Sequence, residues 1–396
     1  MSAGFGITAA VTIDGEAVMR RVRRVIDDGR MYYERLIESD DGALLVREPA
    51  RFTAAGLEVD GWQAGTTPTV IATGAEPSIA PIPGLADVPY LTSDELLHAT
   101  TLPRSIVIVG AGPIAVEFAQ LLVRLGVEVT IAMRSDAPLR GEEPESRALL
   151  ATVLAREGVR LIVEAKDGRV ERCAAGVRLT SGSETVEAEQ LLLATGRAPS
   201  VHELDPEAGG IELVDGGIAV SEHLATTRDG VWAIGDAIGG DHRRFQFTHV
   251  ATHEGPQIVE NALNGARHTP RYSTMPRVTF TDPEIASVGL TEHEAIRAGH
   301  DVHVHVKQIR EVGKARAMGI HDGFIKVVLD RPTRRLLGAT IAANHGGDML
   351  ATLTIPLNQG GSLDGVLATT FAHPTLSEAI KVAVRNGCGE LPELTR

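Results

Sequence analysis

The chain is short of cysteine, of aromatic residues and of positive charge, and two of these shortages exclude whole classes of function. Its 396 residues include two cysteines, Cys173 and Cys388, far apart in sequence. Neither a disulfide framework nor a cysteine-based zinc site can be built from them. Lys and Arg total 38 against 52 Asp and Glu, a formal net charge of −14. That balance argues against nonspecific nucleic-acid binding and against attachment to an acidic membrane. No stretch of 18 apolar residues is free of charge; the best run, 106–123, contains Glu117 and Gln120. Nor does the N-terminus show the charged, apolar, small-residue order of a secretory leader. A cytoplasmic protein is expected.

What the chain has in quantity is glycine, 42 residues, the mark of many tight strand–helix turns. Its length leaves room for two or three domains. Residues 14–37 carry apolar positions near helical spacing, with Arg20, Arg21, Arg23 and Arg24 as a solvated face. Strand-like runs follow at 42–47, 56–61 and 69–74, then a proline- and glycine-punctuated connection over 77–89. From 105 to 132 the pattern is strand, glycine turn, helix, strand, continued by a helix at 143–157 and a strand at 159–165. Two more buried-strand runs, 190–197 and 230–237, end in glycine turns. After about 271 the chain becomes β-rich, with a hairpin turn at 330–335, and it closes on helices. That last part reads as a separate α+β unit.

The sharpest motif is G-A-G-P-I-A at 110–115, between a strand and a helix. Gly110 permits the tight turn, Gly112 lets backbone approach a pyrophosphate, and Ala115 allows close helix–strand packing. At the end of the return strand, where an acid would bind ribose hydroxyls, stand Arg134 and Ser135. A guanidinium and a hydroxyl suit a 2′-phosphate, which favours NADPH over NADH; the plainer reading of Arg134 is a surface loop cation. Near the C-terminus, FAHPTLSEA (371–379) fits a helix start, with Thr375 and Glu378 as a capping box. It also sets His373 five residues before Glu378, a candidate imidazole–carboxylate pair.

Taken together, VIATGAEP (70–77), the 110–117 turn with Glu117, LLLATGRAP (191–199), VWAIGDA (231–237), PRVTFTDPEIASVGLTEHEA (276–295) and AHPTLSEA (372–379) occur in one order. This series resembles the pyridine nucleotide–disulfide oxidoreductases, nearest the mercuric reductase and dihydrolipoamide dehydrogenase branch. The resemblance implies an α/β protein: a Rossmann-like NAD(P) domain (96–218) inserted in a truncated FAD domain (1–95 and 219–270). A C-terminal α+β interface domain (271–396) would form a homodimer. It implies that Thr73 and Gly74 mark the first crossover and Gly196 and Arg197 the return. Gly235 and Asp236 would meet the ribityl or pyrophosphate part of FAD, and Thr248 and His249 would start a helix beneath the flavin. Glu117 would lie near the nicotinamide. His373, oriented by Glu378, would be the acid–base of the thiol-acting members.

Two family features are missing from the sequence: an N-terminal βαβ unit for the ADP half of FAD, and a Cys-x4-Cys redox pair. The expectation is an incomplete FAD site, an N-terminally shortened chain, and a first domain less stable than the other two. Hydride would pass from NAD(P)H to FAD and on to a disulfide or another small-molecule acceptor. Mercuric ion reduction and a non-catalytic NADP-binding dimeric module are the alternatives. His303 with His305, and His249 with His253, are not read as metal sites.

Overall fold

A computed structural model describes residue 6, residues 10–64 and residues 68–389. The first body opens on the helix Gly15–Glu38, capped where Asp14 Oδ1 accepts the Ala17 N–H at 2.9 Å. Its apolar residues recur at helical spacing, yet only Met19 is buried, while Val25, Tyr32, Tyr33, Leu36 and Ile37 are exposed. The helix docks on the short helix Ser93–His98. Next comes an antiparallel three-stranded sheet, Ala50–Thr53, Gly56–Val59 and Trp62–Ala64. Thr69–Ile71 pairs in parallel with Val231–Ala233, and the helix Thr248–Asn264 follows. Phe52, Ile71, Val231, Ala233 and Ile258 share one core with Val201, Leu204 and Ile211. The run 42–47 forms no strand, and Leu44 is 86% exposed. An apolar run makes a strand only where a neighbouring edge takes its backbone hydrogen bonds, and among the described residues none does.

The middle body is a parallel four-stranded sheet in the order Gln190–Leu193, Ser105–Val109, Glu128–Ala132, Arg160–Ile162. Its strands are near-continuous apolar runs because the helices Pro113–Arg124 and Pro144–Arg156 cover one face and an antiparallel meander, 169–188, covers the other. Two crossovers, Ala75–Pro77 and Arg197–Pro199, join first and middle bodies and pair antiparallel with each other.

The last body is an antiparallel five-stranded sheet: Arg277–Thr279, Glu284–Gly289, Leu336–Ala343, Phe324–Asp330 and Val302–Gln308. Helices Gly346–Asn358 and Glu378–Gly387 pack on it. Ile285, Phe324 and Ala342 turn the other way, into the core of the middle body, so these two bodies share apolar contacts. No described helix is long and apolar enough to cross a membrane.

Burial predicts the order of local stability. A 24-residue helix with one buried side chain owes little to tertiary packing, whereas Leu336–Ala343 is almost wholly buried. In hydrogen exchange, amides of residues 20–38 should exchange faster than those of 338–343 by roughly two orders of magnitude or more. Equal protection in the two segments would contradict this.

Candidate active site

The glycine turn lies at the carboxyl edge of the parallel sheet. Gly110 has φ +130, and a Cβ there would come within 2.1 Å of the Ala194 carbonyl oxygen. Only glycine meets both demands. At Gly112, which caps the helix Pro113–Arg124, a Cβ would meet nothing within 4 Å, so the space beyond is open. No side chain caps this helix, leaving its first N–H groups and the positive end of its dipole available to an anion. Ala115 is fully buried against the sheet.

Return strand and turn are tied together, since the Gly110 N–H donates to Ala132 O at 3.0 Å. Arg134 therefore begins the loop beside the glycines; it is exposed and makes no hydrogen bond or ion pair among the described residues. Ser135 Oγ donates to Ala137 O at 2.7 Å, so its hydroxyl proton is engaged by its own loop. The loop then folds over the turn, with the Leu139 N–H donating to Ala111 O at 2.9 Å. A cleft of about 380 Å³ results, bordered by Gly112, Pro113, Arg140, Arg244, Phe245 and Arg277 among others. Glu117, on the same helix, accepts the Phe280 N–H at 2.7 Å, and burial pushes its carboxyl pKa up.

Around the crossovers the structure gathers a second group. The Ser78 N–H donates to Gly196 O and the Ser200 N–H to Gly74 O, both at 2.9 Å. Thr73 beside them is exposed. Arg197 donates to Ala75 O and lies close enough to Asp236 to act on its charge. Asp236 is half-buried and has no hydrogen bond among the described residues; burial outweighs Arg197 and raises its pKa. Gly235 takes φ +61, and its N–H donates to the fully buried Glu254 at 2.7 Å. Thr248 opens its helix with no side-chain cap, and His249 stacks on Phe247 with Nε2 2.9 Å from Pro276 O.

His373 stands apart from both groups. Its Nδ1 lies 3.0 Å from Glu378 Oε1, and the imidazole side chain is 77% exposed. Glu378 also accepts the Thr375 N–H at 3.0 Å; that amide first, and the imidazole second, hold its carboxyl below the ordinary range. Thr375 Oγ1 donates instead to Ala372 O, and the helix begins at Glu378. The expected capping box is thus half-made: Glu378 accepts the Thr375 amide, but the Thr375 hydroxyl is turned to Ala372 O and caps no helix N–H. Among the described residues, the imidazole's polar contacts are with Glu378 alone.

Sequence reasoning missed Arg140, Glu254 with its partners His242 and Tyr272, and Lys326. Arg140 was legible as a second loop cation six residues beyond Arg134. Glu254 and Lys326 are buried, and His242 and Tyr272 half-buried, polar groups whose partners are distant in sequence, and a single sequence carries no signal for them.

A family described as pyridine nucleotide-disulphide oxidoreductase matches residues 33–255, and its dimerisation domain matches residues 275–384. The chain is 33% identical to a mercuric reductase of Bacillus cereus over 95% of its own length and 60% of that protein's. It is 34% identical to a dihydrolipoyl dehydrogenase of Bacillus subtilis over 78% of its length and 66% of the relative's. It therefore spans roughly three fifths to two thirds of those relatives. Among solved structures, the Cu(II) complex of the HOCl-induced flavoprotein disulfide reductase RclA from Escherichia coli superposes with a TM-score of 0.87 at 28% identity, covering 94% of this chain and 86% of that one. The chain belongs to the pyridine nucleotide-disulphide oxidoreductases, the FAD-dependent, NAD(P)-using oxidoreductase family.

Proposed function

We propose that the chain works as the NADPH-binding, acid–base-bearing part of a dimeric FAD-dependent oxidoreductase whose acceptor is a disulfide or another small molecule. One observation carries the reading: an uncapped helix N-terminus at an open Gly112 gives onto a cleft bordered by arginines. That cradle suits a pyrophosphate. Arg134, with no partner among the described residues, suits a ribose 2′-phosphate at the strand end. Arg140 and Arg244 add positive charge where the nucleotide would lie.

The residues at the crossovers fit the central part of FAD. Asp236 offers a half-buried carboxylate with no hydrogen bond among the described residues, and the Thr248 helix, with no side-chain cap among them, offers N–H donors. Among the described residues, the strand–glycine turn–helix unit occurs once, at 105–124, so these residues supply no second cradle for the ADP half. Bound FAD would supply the hydride acceptor. Glu117, its pKa raised and its carboxylate tied to the Phe280 amide, would border the nicotinamide. His373 would give or take the proton of the reduced acceptor through Nε2 while Glu378 fixes Nδ1. Its exposure fits presentation to a second copy through the dimerisation domain.

Mercuric ion reduction is the second reading, motivated by the 33% identity to a mercuric reductase. Hg²⁺ transfer favours thiolates, but Cys388 is buried in the last body and Cys173 lies on the meander of the middle one. A panel of oxidised lipoamide, glutathione disulfide, quinones and Hg²⁺ ranks the two, and turnover with Hg²⁺ alone would reverse the order.

The nucleotide preference has its own test. Arg134→Ala should cost NADPH affinity about 10- to 100-fold and leave NADH within about twofold, since one charge-assisted contact is worth roughly 1.5–3 kcal/mol. Calorimetric titration of both nucleotides measures it. Equal loss for NADH would remove Arg134 from the phosphate site.

A further inference from the structure

Beside the His373–Glu378 pair lies a pocket of about 260 Å³ that the reaction outlined above does not use. It is lined by Thr370, Phe371, Glu378, Lys381, Val382 and Arg385. Lys381 and Arg385 follow Glu378 by three and seven residues on one helix, so all three share a face. Lys381 Nζ donates to Thr369 O at 2.6 Å and makes no ion pair among the described residues. Among the described residues the buried Arg385 Nε has no hydrogen-bond partner, and its guanidinium makes no ion pair. A buried guanidinium N–H left unpaired is costly. The carboxylate lining the pocket, Glu378, is already committed to His373 and to the Thr375 amide. Phe371 and Val382 give the cavity an apolar wall.

We infer that this pocket is a subsite for the carboxylate end of the electron acceptor. It would take an organic acid whose apolar stem lies on Phe371 and Val382, and whose reducible group then stands near His373. Two cations facing one engaged carboxylate leave a positive excess, and Arg385 offers parallel N–H donors suited to a carboxylate fork. The chain as a whole is strongly acidic, so a local positive pocket selects anions against the general field. The inference rests on His373–Glu378 being the acid–base pair for the acceptor, and it names the acceptor class.

The test uses two cyclic disulfides that differ at one end, oxidised lipoate with a carboxylate and oxidised lipoamide with a neutral amide. Binding to the full chain is measured by calorimetry with no reductant present, so electron transfer is not required. Lipoate should bind about tenfold more tightly or better, and the preference should shrink as salt rises. Arg385→Gln and, independently, Lys381→Met should each cut the preference to about twofold or less, while Arg385→Lys should restore part of it. Light scattering on each variant follows the dimer mass. Equal binding of the two disulfides to the parent chain overturns the inference, as does a preference that survives both substitutions. Loss of dimer mass in both variants, with no preference in the parent, assigns the cations to the partner subunit and likewise overturns it. Selective lipoate binding in a chain that never passes electrons would leave the pocket standing and remove only the redox reading.

Discussion

Replacing Lys326 with methionine should destabilise the protein by about 3–5 kcal/mol, as expected for breaking a buried ion cluster from one side. The ammonium is almost fully buried, at 1% exposure, on the strand Phe324–Asp330, between Leu336–Ala343 and the edge strand Val302–Gln308. It reaches Glu143 at 3.0 Å, and Glu145 and Glu292 at 2.8 Å each. Glu143 is itself 2% exposed, and it also accepts the Glu292 N–H at 2.8 Å. Without the ammonium, Glu143 stays a buried anion with one amide donor. Two of the carboxylates, Glu143 and Glu145, belong to the start of the middle body's helix, so the cluster ties the middle and last bodies together. It lies next to Glu142, which pairs with Arg277 at 3.2 Å on the edge of the cleft proposed for the nucleotide. The substitution should therefore weaken NADPH binding as well as lower the melting temperature.

Two controls separate the causes. Lys326→Met combined with Glu143→Met should recover most of the loss, because an apolar pair of similar volume often replaces a buried ion pair at little cost. A double variant no better than the single would locate the loss in packing. The pH dependence has a definite sign. The three carboxylates outweigh burial, and Lys326 is pushed above its ordinary value. A raised folded pKa makes the contribution fully present below the unfolded lysine value of about 10.4. It is lost as pH climbs from there through the higher folded value. The gap between parent and Lys326→Met should stay flat from pH 7 to 9 and narrow only in strong alkali.

Much of this architecture is written in local pattern. The 110–115 turn was legible because steric demand and phosphate chemistry require small residues at fixed spacing, and the structure meets that demand at Gly110 with the Ala194 carbonyl. The helix from Gly15 was legible from period, but its exposed stripe was not, since period alone does not show which face finds a partner. The run 42–47 failed for the same reason: an apolar run states a preference, and pairing decides it. The Thr375–Glu378 spacing pointed equally to a cap and to an oriented histidine, and the carboxylate does half of each. Lys326 and Glu254 left no trace, because each looks like an ordinary surface charge until distant segments bury it.

Glu254→Ala should have the second large effect, about 3–5 kcal/mol, with the loss concentrated in the first body. Its fully buried carboxylate accepts the Gly235 N–H at 2.7 Å and the Tyr272 hydroxyl at 2.7 Å, and meets His242 Nε2 at 2.6 Å. Removing it leaves three groups short of a partner, in a region where His242 Nδ1 already lacks one among the described residues. Phe245, which borders the cleft of Gly112 and Arg140, stacks on Tyr272 at 5.0 Å. One carboxylate thus holds both the Gly235–Asp236 turn proposed for FAD and a wall of the cleft proposed for NADPH. Glu254→Gln keeps the shape and an acceptor for Gly235, and it should cost about 1–2 kcal/mol. Because Glu254 raises the pKa of Asp236, the glutamine variant should lower it, which carboxylate NMR titration can follow. Tyr272 supplies a further sign. Burial, then the bond to Glu254, raise its pKa, so this stabilisation is present below the ordinary tyrosine value of about 10 and is lost as pH rises above it. Tyr272→Phe should remove that alkaline sensitivity. If Glu254→Ala weakens FAD and NADPH binding together while Glu254→Gln spares both, the carboxylate is the shared support of the two sites. If only one ligand is affected, the network serves that side alone.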